Sequence, residues 1–171
     1  MPGRLRLRLD GIPPERLAEL VGAASYGTVL VLAALSVIGV SDVALGHGAE
    51  LVAGVGGATW LAHLFAELLG RHVRHVEPLR AGEVVRAMAD GSPILVSTVL
   101  PAFVLLLGRL DVVGDAAARL VAILVAVAQL LAIGALVGRR AATPPTARWV
   151  FAAATAAVGL SVVAVTVLLG H

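Results

Sequence analysis

Gly56-Gly57-Ala58-Thr59-Trp60-Leu61-Ala62-His63-Leu64-Phe65-Ala66-Glu67 is the second half of an apolar run that begins at Leu51 and ends at Gly70. The run is long enough to cross a bilayer as a helix, yet it carries an imidazole and a carboxylate four residues apart. At helical spacing Gly56, Trp60, His63 and Glu67 share one face. A titratable side chain inside a membrane span costs on the order of 3 kcal/mol unless it finds a partner, water or a transport role. No other apolar run of this chain carries an acid or base so far inside.

The composition agrees with a membrane setting. Of 171 residues 59% are hydrophobic and only 14% charged, with a mean hydropathy of +0.97. Soluble domains carry about a quarter charged residues. There is no cysteine, which excludes disulfides, thiolate metal sites and thiol nucleophiles. All 13 basic residues are arginine, and Ala, Val, Leu and Gly dominate, a bias that fits a GC-rich bacterial genome. The pI near 10.4 could suggest nucleic acid, but the arginines flank apolar runs, where orientation and lipid headgroups explain them. No nucleic-acid partner is expected.

Working outward, the pattern predicts an all-α bundle of five transmembrane helices, with spans over 21–40, 51–70, 93–107, 116–137 and 150–169. Residues 1–20 read as a basic lead-in with Arg4, Arg6, Arg8 and Arg16, and Pro13-Pro14 opens a short helical turn. The first span is too long for a signal-peptide h-region and no A-x-A site follows it. Ser25, Tyr26, Gly27 and Thr28 form a small polar cluster near its start. The stretch 41–50 reads as a glycine-rich turn; its Asp42, His47 and Glu50 are donor types that suit a divalent cation, on a frame too loose to fix them. Between the second and third spans, Leu79, Val84, Val85 and Met88 point to a short amphipathic interfacial helix over 78–89. Pro101 interrupts the third span, with Ser97 and Thr98 one turn back to help satisfy the loosened backbone. Gln129 is the one strongly polar residue of the fourth span, placed to bridge two helices or line a path. Gly134-x-x-x-Gly138 and the alanine-rich last span point to close packing and to a homo-oligomer.

Arginine counts predict the topology. With the N-terminus inside, the inner segments hold Arg4, Arg6, Arg8, Arg16, Arg71, Arg74, Arg80, Arg86, Arg139, Arg140 and Arg148. The outer side holds only Arg109 and Arg119. Eleven against two is a strong positive-inside bias, which puts the C-terminus outside and the protein in a bacterial plasma membrane.

The chemistry rests on the second span. With Gly70 at the interface, Glu67 lies roughly 4–5 Å and His63 roughly 10 Å inside. Glu67 can pair with Arg71 and reach the headgroups, whereas His63 needs a hydroxyl, Gln129 or water. Histidine and carboxylate are normal ligands of divalent transition metals and also proton relays. A cation route past Trp60, His63 and Glu67, with Ser97, Thr98 or Gln129 opposite, is one reading, and His63 and Glu67 are its metal candidates. The other is a non-transporting accessory or scaffold protein that docks a partner or anionic lipid through its basic loops. No HExxH or serine–histidine signature is present, so an enzyme is not expected, nor a cofactor.

Three stretches resemble the vacuolar iron transporter family: Ser25-Tyr26-Gly27, Val52-Ala53-Gly54 leading to Glu67, and Leu131-Ala132-Ile133-Gly134-Ala135-Leu136-Val137-Gly138-Arg139. That resemblance implies a dimer exchanging ferrous or manganese ions for protons. Leu30 stands near where that family carries a first-span acid, and only Glu77 and Glu83 represent its cytosolic carboxylates. Trp60-x-x-His63 and Leu100-Pro101-Ala102-Phe103 are similar to the bacterial relatives of the lysosomal potassium channel, with Ala24-Ser25-Tyr26 where those have Phe-Ser-Asp. The whole chain is most similar to small multi-pass proteins of high-GC bacteria.

Overall fold

The computed structural model describes residues 13–74, 80–140 and 144–169. Among the described residues 92% are helical and none is in a strand. Six helices follow one another: α1 (Pro14–Val37), α2 (Val40–Ala44), α3 (His47–Arg74), α4 (Ala81–Arg109), α5 (Asp115–Arg140) and α6 (Pro145–Leu169). All but α2 are long and apolar enough to cross a membrane, which makes the five expected spans.

The helix ends differ from those expected, for local reasons. Pro14 takes the first turn of α1, where its missing N–H costs nothing, so residues 14–20 and the first span form one helix, while residues 1–12 of the lead-in lie outside the described part. That helix stops at Val37 because Ile38 and Gly39 are extended, and the Asp42 carboxylate accepts the Gly39 N–H at 2.7 Å to start α2. The expected turn over 41–50 is therefore mostly helical. The reversal itself sits at Leu45-Gly46, with Gly46 at φ +82°, a conformation open to glycine. Pro145 begins α6, several residues ahead of the expected span.

The largest correction concerns α4. The separate interfacial helix expected over 78–89 is the opening of the third membrane helix, which runs unbroken through Pro93 and Pro101; residues 78 and 79 lie outside the described part. Gly91-Ser92-Pro93 reads as a helix boundary, but the Ser92 hydroxyl donates to the Ala89 carbonyl at 2.7 Å. That carbonyl is the one Pro93 cannot serve, and the substitution keeps the helix intact. At the N-terminus the Glu83 carboxylate accepts the Arg80 N–H at 3.0 Å.

Helix α1 is the hub. It touches α3, α4, α5 and α6, which form an arc around it in that order, while α3 and α6 do not meet among the described residues. Accordingly 44% of the membrane-length stretch of α1 is buried inside the bundle, against 11% for α3. The core joins Val31, Leu32 and Leu35 of α1 to a stripe on α5, Ala118, Ala122, Ala126 and Leu130, with Val43, Val52 and Leu105 closing one end. The fourfold spacing of that stripe puts small side chains toward α1, so the two backbones can come close.

Glycine contacts fix the relative directions. Gly56 of α3 meets Thr98 of α4 while Gly91 of α4 meets Trp60 and His63, so α3 and α4 run antiparallel. Gly27 of α1 meets Ile94 and Ser97, and Arg16 pairs with Asp90, so α1 and α4 run parallel. The Gly134/Gly138 face is used within the chain: it takes Ala152, Thr155 and Arg148 of α6. It is therefore not a free face for a second copy. Arg16, Arg71, Arg74, Arg80, Arg86, Arg139, Arg140 and Arg148 all fall at one end of the bundle, Arg109 and Arg119 at the other.

Candidate functional site

The face read from the sequence is a single face in the structure, and α4 covers it. Gly56 lies against the Thr98 side chain. One turn on, the Trp60 indole N–H donates to the Met88 carbonyl at 3.3 Å. The carbonyl of Met88 is within reach because Gly91 has no side chain: a Cβ there would come within 3.2 Å of both His63 Cδ2 and Trp60 Cδ1. Glycine at 56 and at 91 thus lets the α3 and α4 backbones approach, and the large polar side chains fold over the smaller helix surface.

Glu67 is held by charge. The Arg71 Nε donates to Glu67 Oε1 at 2.8 Å, and Arg71 Nη2 lies 3.8 Å from Asp90 Oδ2 of α4. Asp90 Oδ1 in turn faces Arg16 Nη2 of α1 at 3.6 Å. One carboxylate from α4 therefore ties α3 to α1, and the chain Glu67–Arg71–Asp90–Arg16 clasps three helices at the arginine-rich end. No comparable ion pair between described residues occurs at the opposite end. The clasp lies near the end of its helices, where long side chains can reach headgroups and water.

His63 lies near the middle of α3, as the expected span implies, because the helix exceeds that span by four residues at each end alike. It is roughly 16 Å from the Arg74 end of a helix about 42 Å long. It is partly buried, packs on Gly91, and makes no hydrogen bond with a described residue. Among the described residues no group of three or more His, Cys, Asp or Glu side chains converges to hold a metal ion.

The polar residues expected opposite His63 are one layer away. Ser97 and Thr98 are buried and donate to the Ile94 and Leu95 carbonyls at 2.6 and 2.7 Å. Ser97 faces Gly27 of α1, and Thr98 faces Gly56 of α3. Thr28 of α1, fully buried, likewise donates to Ala24 of its own helix. These hydroxyls are satisfied locally, as membrane helices allow. Gln129 Oε1 is buried with no hydrogen-bond partner among the described residues, so it makes no bridge to a neighbouring helix. The structure thus brings Trp60, His63 and Glu67 together and leaves Ser97, Thr98 and Gln129 apart from them.

Two contributors escaped the sequence reading. Asp90 and Gly91 look like part of a solvated connection, yet they are the α4 partners of Arg71, Trp60 and His63. A signal was present: Asp90 lies two turns beyond Glu83 on an apolar background, but the glycine and proline beside it mask the helix. No family model, curated protein or solved structure matches the chain.

Proposed function

We propose that this chain is a non-transporting accessory protein of a bacterial plasma membrane, N-terminus inside, which presents its arginine-rich end to anionic headgroups. One observation carries the reading: the Trp60 indole and the Glu67 carboxylate are taken up by α4 and by Arg71, and the His63 ring packs on Gly91 of α4. A conducting face needs those groups turned to water or to a passing ion. The orientation rests on the gathering of Arg16, Arg71, Arg74, Arg80, Arg86, Arg139, Arg140 and Arg148 at one end. At that surface each exposed arginine adds about 1 kcal/mol of attraction to an anionic leaflet.

The test is flux through proteoliposomes, screened for protons, potassium, manganese and ferrous iron. The expected result is no flux above empty vesicles; flux that disappears in Glu67→Gln would overturn the reading. Orientation is tested by single cysteines at Gly82 and Gly114, where an added side chain meets nothing. Gly82→Cys should label only from the cytosol and Gly114→Cys only from outside.

A cation route is the second reading, and Gln129 favours it. A buried amide oxygen with no hydrogen-bond partner among the described residues is a natural place for water near mid-membrane. The same flux assay decides between the two.

A further inference from the structure

The other side of α3 carries a different feature. His47, Glu50, Leu51, Gly54, Val55 and Ala58, with Ile38 and Asp42 across from them, line an open cleft of about 620 Å³. Its chemistry is graded along the helix. Asp42, His47 and Glu50 stand at the mouth, near the end of the bundle away from the arginine cluster, and from Leu51 to Ala58 the α3 wall is entirely apolar. His47 to Ala58 spans roughly 16 Å of helix, a length that suits an acyl chain. Gly54 leaves the middle of the cleft open, since a Cβ there would have no atom within 4 Å.

We propose that the cleft binds a phospholipid with a primary ammonium headgroup. Asp42 and Glu50 supply two carboxylates at the mouth, and no arginine lines it. Asp42 already accepts the Gly39 N–H through one oxygen and keeps its second; the Glu50 side chain makes no hydrogen bond or ion pair with a described residue. A primary ammonium donates N–H bonds to such carboxylates, whereas a quaternary ammonium has no N–H to give. Arg109 lies across Gly46, next in the chain to His47, and puts a positive charge beside the mouth for the phosphate. A bare cation leaves the apolar wall unexplained, and the three mouth residues do not converge as metal ligands. The inference stands apart from the accessory reading, because it uses the opposite end of the molecule.

Native mass spectrometry of the full chain in detergent tests it, with phosphatidylethanolamine, phosphatidylcholine and phosphatidylglycerol of identical acyl chains. The wild type should retain one phosphatidylethanolamine per chain about tenfold more tightly than either of the others. Glu50→Gln should bring that preference down to that of phosphatidylcholine, while Gly54→Leu should weaken retention of all three with the melting temperature unchanged. If Gly54→Leu lowers the yield of folded protein, Ala58→Leu blocks the cleft one turn further on. Equal retention of phosphatidylethanolamine and phosphatidylcholine by the wild type would overturn the proposal. So would preference for phosphatidylglycerol, full retention in the cleft-blocking variants, a manganese adduct lost in Glu50→Gln, or a lipid-free dimer that Gly54→Leu dissociates.

Discussion

The two faces of α3 carry similar residues to opposite ends. Gly56, Trp60 and His63 lie on α4, with Glu67 held by Arg71; His47, Glu50, Gly54 and Ala58, on the other side of the same helix, line an open cleft. Each face has a glycine, a histidine and a glutamate. What separates them is the neighbour. α4 offers Gly91 and Thr98, small enough to let α3 approach, and Asp90 to receive Arg71. Among the described residues the cleft side has only the end of α1 and the short α2, since α6 makes no contact with α3. A polar residue deep in a span is therefore weak evidence for a pathway until its neighbour is known. Lipid does not drive helices together by apolar burial, so close backbone approach and polar pairing must do it.

Placing the same side chain on each face tests the difference between them most directly. Gly56→Leu drives a side chain into Thr98, and overpacking of this kind costs about 1–3 kcal/mol. Gly54→Leu, two residues away, meets no atom within 4 Å and should leave thermal stability in detergent unchanged. Melting temperatures that fall equally in both variants would show that the faces do not differ.

Much of this was legible in the sequence. Five apolar runs mark five helices long and apolar enough to cross a membrane, and the spacing of residues 56, 60, 63 and 67 puts them on one face. Glu67 was readable as a partner for Arg71, because both lie on one helix four residues apart. The partner across the interface was not readable. Asp90 and Gly91 sit beside Ser92 and Pro93, a combination that ordinarily ends a helix, and only the Ser92 hydroxyl on Ala89 lets α4 continue. Gly134-x-x-x-Gly138 is legible as a packing face, but pattern alone cannot say whether the helix that fills it belongs to the same chain. The helix ends slipped for a related reason: capping by Asp42 at Gly39 and by Glu83 at Arg80 acts over three residues and leaves no trace in hydropathy.

A smaller effect is expected at the clasp. Asp90→Asn removes the carboxylate that Arg71 and Arg16 share, at 3.8 and 3.6 Å. Distances of that length at a partly exposed site are worth about 1 kcal/mol together. The loss should shrink further at high salt, because the paired side chains are partly exposed. Stability that is independent of salt in both wild type and variant would show the clasp to be ornamental. Trp60→Phe should cost about 0.5–1 kcal/mol, by removing the N–H that reaches Met88 while keeping most of the ring.

The smallest effect is expected at His63, although it is the residue that first draws the eye. Its ring contacts Gly91 through a carbon atom, and it gives no hydrogen bond to a described residue. His63→Gln keeps the bulk and a polar tip, so the melting temperature should shift by less than the equivalent of about 0.5 kcal/mol. Gly91→Ala makes the complementary change from α4, pressing a methyl within 3.2 Å of both His63 and Trp60, and should cost more than His63→Gln does. That order follows from a packing role, in which the space between the helices matters more than the imidazole. A conducting role demands the reverse. His63→Gln would then remove the imidazole and abolish ion flux with stability untouched, while Gly91→Ala would leave a conducting imidazole in place. Measuring both variants in the same proteoliposomes and the same detergent therefore separates packing from passage at one contact.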